Sequence, residues 1–413
     1  MRAGAAVTGW HDSPYTGLFT RFGALVVRPH SPDVCMVSGT LPPWGPRKVE
    51  IEVGGAGWDE EAAEAACVGE GIERAQSYPL PRDRSVEASA GGWPLDEPAV
   101  DPLAWALFHP EQHAAAGFPF ERFGRSTSCR WTCFRDALTG GARWVPEEFA
   151  YLHVRAGEGH RIGPATSTGL ACGRPGMPVL LRGLQEVVER DAAMGAWWGR
   201  YPLEEWSGES MGSRLGGEIL DRVARPSLRA RFWRVDTPFS AHVTWVTLEG
   251  EDREGFCFAA GSACRETRDE SWRKSLLEAV HGFRYAGHLR GTLPAGEIER
   301  LEGFAHHAAY YSLHPERLAE TAFASATSPK RGPEPREGLL EIARRLGGDR
   351  PVLFRNVTPP SIAGEFGDWI VLRVVVPGLQ PMHGVHAMAH LGGALWAPRG
   401  LREWASMPPH PFP

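Results

Sequence analysis

The sequence lacks the features that would place it in a membrane, in a secretory pathway or on nucleic acid. None of its 413 residues belongs to an apolar run near the ~18 residues of a membrane-spanning helix. The opening stretch MRAGAAVTGWHDSPYTG has no apolar signal core, so we expect a cytoplasmic protein. Its 44 lysines and arginines are outnumbered by 50 aspartates and glutamates. We therefore expect neither nucleic acid nor membrane among its partners.

Disulfide frameworks and the common nucleotide-binding loops are also missing. The seven cysteines are odd in number and scattered, and Cys129 and Cys133 lack the two-residue spacing of a zinc knuckle or a redox pair. We therefore expect free thiols in a reducing compartment. No GxxxxGK[ST] loop occurs, and no GxGxxG follows a predicted strand. An ATP site in this chain would need a different architecture.

The patterns that are present predict mixed helices and strands. The pattern of residues 1–57 predicts strands that are separated by proline and glycine. Long helices are predicted over residues 58–77, 177–199 and about 270–290, and Asp59 stands where the N-cap of the first is expected. The chain is therefore predicted to be α/β, of the α+β type.

Two of the predicted helices carry the pattern Glu-x-x-Glu-Arg. The copies are Glu70, Glu73 and Arg74, and Glu186, Glu189 and Arg190. Glutamates three apart share a helix face and repel each other unless a cation lies between them. Mg²⁺ prefers such oxygen ligands, and arginine forks suit phosphate. One copy alone would indicate a solvated face, but two copies, the second in apolar surroundings, favour an Mg²⁺–ATP site.

The segment ATSTGLACGRPGMPVLLRGLQEVVERDA, residues 165–192, resembles the YcaO family. The matching positions are Ser167, Gly169, Gly173, Glu186, Glu189, Arg190 and Asp191. The first helix resembles the family's first nucleotide motif, with Ala66 where a serine is expected. The third helix matches at Glu278, with His281 where a glutamine is usual, and the strand 371–381 supplies Arg373.

This resemblance implies a YcaO-like fold in which pseudo-symmetric sheets and long helices line a central ATP site. It implies Mg²⁺ ligands at Glu70, Glu73, Glu186 and Glu189. It implies ATP contacts at Arg74, Ser167, Arg190, Glu278, His281 and Arg373. We expect residues 1–57 to be a strand-rich segment packed on the main domain, and residues 58–413 to be the YcaO catalytic domain.

The Pro-rich tail, residues 405–413, ends Pro409-His410-Pro411-Phe412-Pro413. Cyclodehydratases of the family tend to end in this way. Alternating prolines hold an extended segment at low entropic cost, so the tail could insert into the site and present the Pro413 carboxylate as the catalytic base. The alternative is a disordered end.

The resemblance predicts an ATP-dependent cyclodehydratase that closes Cys, Ser or Thr of a ribosomally made precursor peptide into azoline rings. Peptide thioamidation, amidine formation and a non-catalytic ATP-binding subunit remain alternatives. The resemblance also implies an E1-like or ThiF-like leader-binding partner, and it leaves a flavin dehydrogenase and a homodimer open. His383, His386 and His390 have helical ligand spacing, but a metal would need further ligands, so zinc is the lesser alternative there.

Overall fold

The computed structural model describes residues 17–26, 31–43, 49–80, 83–153, 160–252, 255–330, 332–359, 362, 369–396 and 399–413. Helices and three antiparallel sheets make up this part of the chain, so the α+β prediction is confirmed. None of the helices in the described ranges is long and apolar enough to cross a membrane.

The first sheet contains β1 (Arg21–Ala24), β2 (Cys35–Leu41) and β3 (Ile51–Gly57) in that order. Helix α1 (Glu60–Gln76) follows and packs on β2 and β3. The Asp59 side chain accepts a hydrogen bond from Ala62 N at 2.8 Å, which confirms it as the N-cap.

Buried side chains of this first layer lie in cores shared with other elements, for example Met36 and Ala56 beside residues of the third long helix. The N-terminal segment thus packs on the rest of the described chain, although its residues 1–16 lie outside the described ranges. The domain boundary at residue 57 stays a prediction.

The second sheet has the order β4, β5, β12, β13, β7, with β6 paired to β5. These strands are β4 (Ser85–Ser89), β5 (Ser128–Asp136), β6 (Ala142–Pro146), β7 (Leu170–Gly173), β12 (Leu353–Asn356) and β13 (Ile370–Val375). Short helices α2 (Pro110–Ala114) and α3 (Glu147–Ala150) lie along the connections. Helix α4 (Val179–Trp197), close to its predicted range, packs on β13 and β7 of this sheet.

The third sheet has the order β11, β10, β9, β8. These strands are β8 (Leu203–Trp206), β9 (Leu228–Val235), β10 (Val243–Asp252) and β11 (Gly255–Cys264). Helices α5 (Gly208–Leu215) and α6 (Gly217–Val223) join β8 to β9. The third long helix, α7 (Arg268–Thr292), packs on β10 and β11. After it come α8 (Ala295–Ile298), α9 (Phe304–Leu313), α10 (Leu339–Leu346) and α11 (Leu401–Trp404).

Helix α7 lies so close to β11 that a glycine is required between them. A Cβ on Gly261 would lie 2.3 Å from Ala279 N and 2.3 Å from Ser275 O, both backbone atoms of α7. We expect Gly261→Ala to lower the free energy of unfolding by about 1–3 kcal/mol, because the helix must shift. Urea unfolding measures this change.

Gly23→Ala is the matched strand control, because no atom of the described residues lies within 4 Å of a Cβ built on Gly23. It should leave the unfolding free energy nearly unchanged. Equal stability of the Gly261 variant and the native chain would contradict the close approach of α7 to β11.

Candidate functional site

The carboxylates of α1 are held by backbone amides of two different sheets. Glu70 accepts a hydrogen bond from Gly54 N at 3.0 Å and pairs with Arg74, one helical turn later, at 3.1 Å. Glu73 accepts a hydrogen bond from Cys172 N, on β7, at 2.6 Å. Both glutamates therefore have fixed positions between the first and second sheets.

Helix α4 repeats this arrangement against the third sheet. Glu189 is buried, and its carboxylate accepts hydrogen bonds from the Ser262 hydroxyl and, at 3.1 Å, from Cys264 N on β11. Glu186 lies 3.8 Å from Arg190 Nε. In both motifs, the second glutamate binds the amide of a cysteine in a strand, and the arginine pairs with the first glutamate.

The two motifs lie within electrostatic reach of each other. Burial raises the pKa of Glu73 to about 8, and the neighbouring carboxylates of Glu186 and Glu70 add to this rise. Burial also raises the pKa of Glu186, where Arg190 opposes the effect and Glu189 adds to it. Glu73 thus holds a proton at neutral pH, at the place where carboxylates converge from α1 and α4.

A divalent cation would relieve the repulsion between these carboxylates, as protonation does. The donors of the four glutamates are hard carboxylate oxygens, the type that Mg²⁺ prefers. Arg74 has a raised pKa: although burial opposes it, the carboxylates of Glu70, Glu73 and Glu186 outweigh that cost. The residues present therefore fit Mg²⁺ with an anionic ligand such as a phosphate chain.

The third helix carries two further predicted residues, and one of them, His281, lies beside the residue that binds Glu70. Glu278 forms an ion pair with Lys274, and although burial opposes it, Lys274 and His281 bring the pKa of Glu278 down to about 2. The His281 ring packs against Gly54, whose absent Cβ would lie 2.7 Å from His281 Nε2. The amide of Gly54 is also the one that binds Glu70, so His281 lies on the same side as that glutamate.

Arg373 lies on β13 and is 1% exposed. Its guanidinium donates hydrogen bonds to the carbonyls of Phe149, at 2.9 and 3.0 Å, and of Thr166, at 2.8 Å. Burial lowers its pKa to about 10, while Glu186 opposes that effect. Arg373 thus fixes the turn that precedes β7. A contact between Arg373 and phosphate stays a prediction.

The turn itself contains the partly exposed Ser167, whose carbonyl accepts a hydrogen bond from Leu170 N at 2.8 Å. Gly169 has a φ of 82°, and a Cβ there would meet Val374 O at 2.0 Å. This glycine allows the turn to lie directly against β13, which keeps Ser167 near the start of β7.

The Pro-rich tail is packed into the protein beside α4. The carbonyl of Pro408 accepts a hydrogen bond from Trp197 Nε1 at 2.8 Å, and that of Pro409 accepts one from the Tyr311 hydroxyl at 2.7 Å. Phe412 is 2% exposed and packs on Trp245, whereas Pro413 is exposed. The alternative of a disordered end is therefore wrong.

Several residues around these glutamates were not identified from the sequence. Cys172, Ser262 and Cys264 contribute through a backbone amide or a hydroxyl that strand pairing brings into place, and no local pattern reports this. Arg182 lies one turn before Glu186, and its guanidinium is paired with Glu266 and bonded to Gln185.

A family model described as YcaO cyclodehydratase, ATP- and Mg²⁺-binding, matches residues 54–380. Among solved structures, a heterocyclase in complex with substrate and cofactor aligns with a TM-score of 0.73 at 16% identity. The alignment covers 98% of this chain and 56% of the heterocyclase, so the chain spans little more than half of that protein.

Two further structures share the fold. YcaO from Methanopyrus kandleri, bound with AMPPCP and Mg²⁺, aligns with a TM-score of 0.57 at 19% identity, over 88% of this chain and 86% of that one. The E. coli microcin synthetase McbBCD complex with pro-MccB17 aligns with a TM-score of 0.61 at 12% identity, over 95% of this chain and 96% of that one. The comparison with curated proteins found no match.

Proposed function

Because the chain belongs to the YcaO family, we propose that it is an ATP-dependent cyclodehydratase that forms azoline rings in a ribosomally made precursor peptide. One observation carries the proposal. Two Glu-x-x-Glu-Arg helices, α1 and α4, bring their glutamates so close together that Glu186 on α4 raises the pKa of Glu73 on α1. Such a cluster suits Mg²⁺ and a nucleotide.

We assign the Mg²⁺ ions to Glu70, Glu73, Glu186 and Glu189. Contacts to ATP are assigned to Arg74, Ser167, Arg190, Glu278, His281 and Arg373. The Cys, Ser or Thr side chain would add to the preceding peptide carbonyl, and ATP would supply a phosphoryl group to the resulting oxygen. That oxygen would then leave as phosphate while the amide nitrogen gives up its proton and the C=N bond of the ring forms. The chain's own contribution is to fix the charges beforehand: backbone amides of Gly54, Cys172 and Cys264 hold three of the glutamates before any ligand arrives.

The packed tail favours ring formation over the other reactions considered, thioamidation and amidine formation. Buried residues up to Phe412 fix the position of Pro413 at the protein surface. For a chain that ends at Pro413, we propose that its carboxylate accepts the amide proton during ring closure. A non-catalytic ATP-binding subunit is the rival, and it would bind ATP without ever modifying a peptide.

The decisive experiment incubates the protein with ATP, Mg²⁺, a candidate precursor peptide and its partner protein. Mass spectrometry should show the peptide losing the mass of one water per ring. Replacement of oxygen by sulfur would instead indicate thioamidation. Binding of ATP without any change in the peptide under all partner combinations would support the rival subunit.

Dependence on a partner is our next prediction. The heterocyclase in the comparison is much longer than this chain, and pro-MccB17 is bound by the McbBCD complex. We propose an E1-like or ThiF-like partner that binds the leader of the precursor peptide. The isolated chain should then modify a full-length precursor slowly, and adding the partner should accelerate it by about 10²-fold or more, because leader binding raises the effective concentration of the peptide.

Initial rates of water loss, with and without the partner, measure this effect. A precursor without its leader is the control, since the partner should not accelerate its modification. Full-speed modification by the chain alone would refute the dependence.

Three further parts complete the proposal. A flavin dehydrogenase would act later on the rings, and the chain would form a homodimer. Its location would be the cytoplasm, where the seven free cysteines would stay reduced.

A further inference from the structure

Three buried histidines from separate parts of the chain meet beside the tail. His307 lies on α9, His383 follows β13, and His410 belongs to the tail; they are 0%, 3% and 1% exposed. One ring nitrogen of each can be chosen so that all three lie within 4.8 Å of one another. The sequence pattern suggested His383, His386 and His390 instead, and of these only His383 belongs to the cluster.

The hydrogen bonds of the cluster leave specific nitrogens without a partner. His307 Nδ1 donates to the carbonyl of His410 at 2.9 Å, and its Nε2 has no partner among the described residues. His410 Nε2 donates to the carbonyl of His383 at 2.7 Å, and within the same ranges its Nδ1 has no partner. Neither ring nitrogen of His383 has a partner in the part of the chain that the structure describes. Buried polar atoms without a hydrogen-bond partner cost stability, so a further ligand is expected to bind these nitrogens.

We propose that His307, His383 and His410 bind a transition-metal ion, Zn²⁺ in the first place. Imidazole nitrogens suit zinc, whereas Mg²⁺ prefers oxygen. The two carbonyl hydrogen bonds fix the tautomers of His307 and His410 and leave their other nitrogens as acceptors, which is how protein metal sites orient histidine ligands. Three histidines leave one position of a tetrahedral zinc for a water molecule.

The cluster must contract slightly to bind the ion. With Zn–N bonds of about 2.0–2.1 Å, tetrahedral ligand atoms are separated by roughly 3.4 Å. The stacked rings of His307 and His410, whose centroids lie 4.1 Å apart, would rotate to reach this spacing.

His390 is a buried histidine that is not a proposed metal ligand, so it serves for comparison. It is also buried, at 3% exposure, and its Nδ1 also has no partner within the described ranges. However, its ring stacks on Phe108 at a centroid distance of 5.2 Å, and it is not part of the cluster. His390→Gln is therefore the matched control for changes in the three proposed ligands.

A bound ion would connect the tail to α9 and to the segment after β13. The proposal does not depend on the proposed function, because the site uses none of the glutamates. Its effect on the tail is nevertheless direct, since His410 lies between Pro409, whose carbonyl binds Tyr311, and the buried Phe412. Removal of the ion should therefore loosen residues 408–413.

The test measures metal content. The full chain is supplied with Zn²⁺, dialysed against excess Mg²⁺, and analysed by inductively coupled plasma mass spectrometry. We expect about one zinc per chain in the native protein and in His390→Gln, and a loss of more than half in His307→Gln and His410→Gln. Glu189→Gln should retain its zinc, so failure of the proposed ATP site is distinguishable from failure of this one.

A second measurement does not depend on variants that fold poorly. Co²⁺ bound to the native chain should give the intense visible absorption of a four-coordinate site, and hydrogen exchange of the tail should rise when a chelator removes the metal. Native protein that binds neither zinc nor Co²⁺ would overturn the proposal. Equal loss of zinc in His390→Gln would also overturn the assignment to these three residues.

Discussion

Glu189→Gln is expected to reduce ATP turnover by at least about 10²-fold, the size of loss typical when a charge-stabilising group is removed from an active site. The carboxylate of Glu189 loses its charge in this variant, so the proposed Mg²⁺ site is weakened. The local structure should survive, because the amide oxygen of glutamine can still accept from Cys264 N, and the Ser262 hydroxyl can rotate to accept from the amide nitrogen.

Turnover is measured as phosphate released in the presence of peptide and partner, and nucleotide affinity by calorimetry. Glu61→Gln is the control, because this exposed glutamate lies in the first turn of α1, away from the cluster. Its turnover should equal that of the native chain. A normal rate in Glu189→Gln, with an unchanged melting temperature, would defeat the assignment of Glu189 to Mg²⁺.

Residues added after Pro413 are expected to reduce ring formation by about 10²-fold or more while ATP binding survives. The size of the loss is that of a missing general base. Phe412 is buried against Trp245, so an extension must project from Pro413 and would displace its carboxylate. The glutamates on α1 and α4 are untouched, so nucleotide affinity should stay the same.

Both readings must come from the same samples: affinity by calorimetry and ring formation by mass loss. The same residues added before Met1 are the control and should have no effect. Deletion of Phe412 and Pro413 should act like the extension, with an added loss of stability from the missing ring. Normal ring formation by the extended protein would show that the tail carboxylate is not the base.

The long helices could be predicted because their signals are local. Asp59 before a run of alanines indicates where α1 begins, and the spacing of Glu186 and Glu189 indicates a shared helix face. The strand β9 was not predicted, because its sequence LRARFWRV alternates arginine with apolar residues only as far as Phe232, where Trp233 breaks the pattern. Pairing with β8 and β10 decides its structure.

The candidate site was only partly accessible to sequence reasoning for a similar reason. The motif identifies Glu73 and Glu189 but not the amides that hold them, and 99 residues separate Glu73 from Cys172. The histidine cluster shows the same limit of sequence reasoning more clearly. Helical spacing groups His386 and His390 with His383, whereas the fold brings His307 and His410 to it. Contacts between distant segments depend on packing, which no short pattern encodes.

The attachment of the tail has a consequence for the order of folding. Its carbonyls bind Trp197 and Tyr311, which precede their partners by 211 and 98 residues. Contacts over such separations require large loops to close, so they form late, after α4 and α9 have packed on their sheets. The tail pairs with side chains and not with a strand, so it can also open as a local unit without breaking a sheet. Opening and closing of these few residues would then be faster than unfolding of the whole chain.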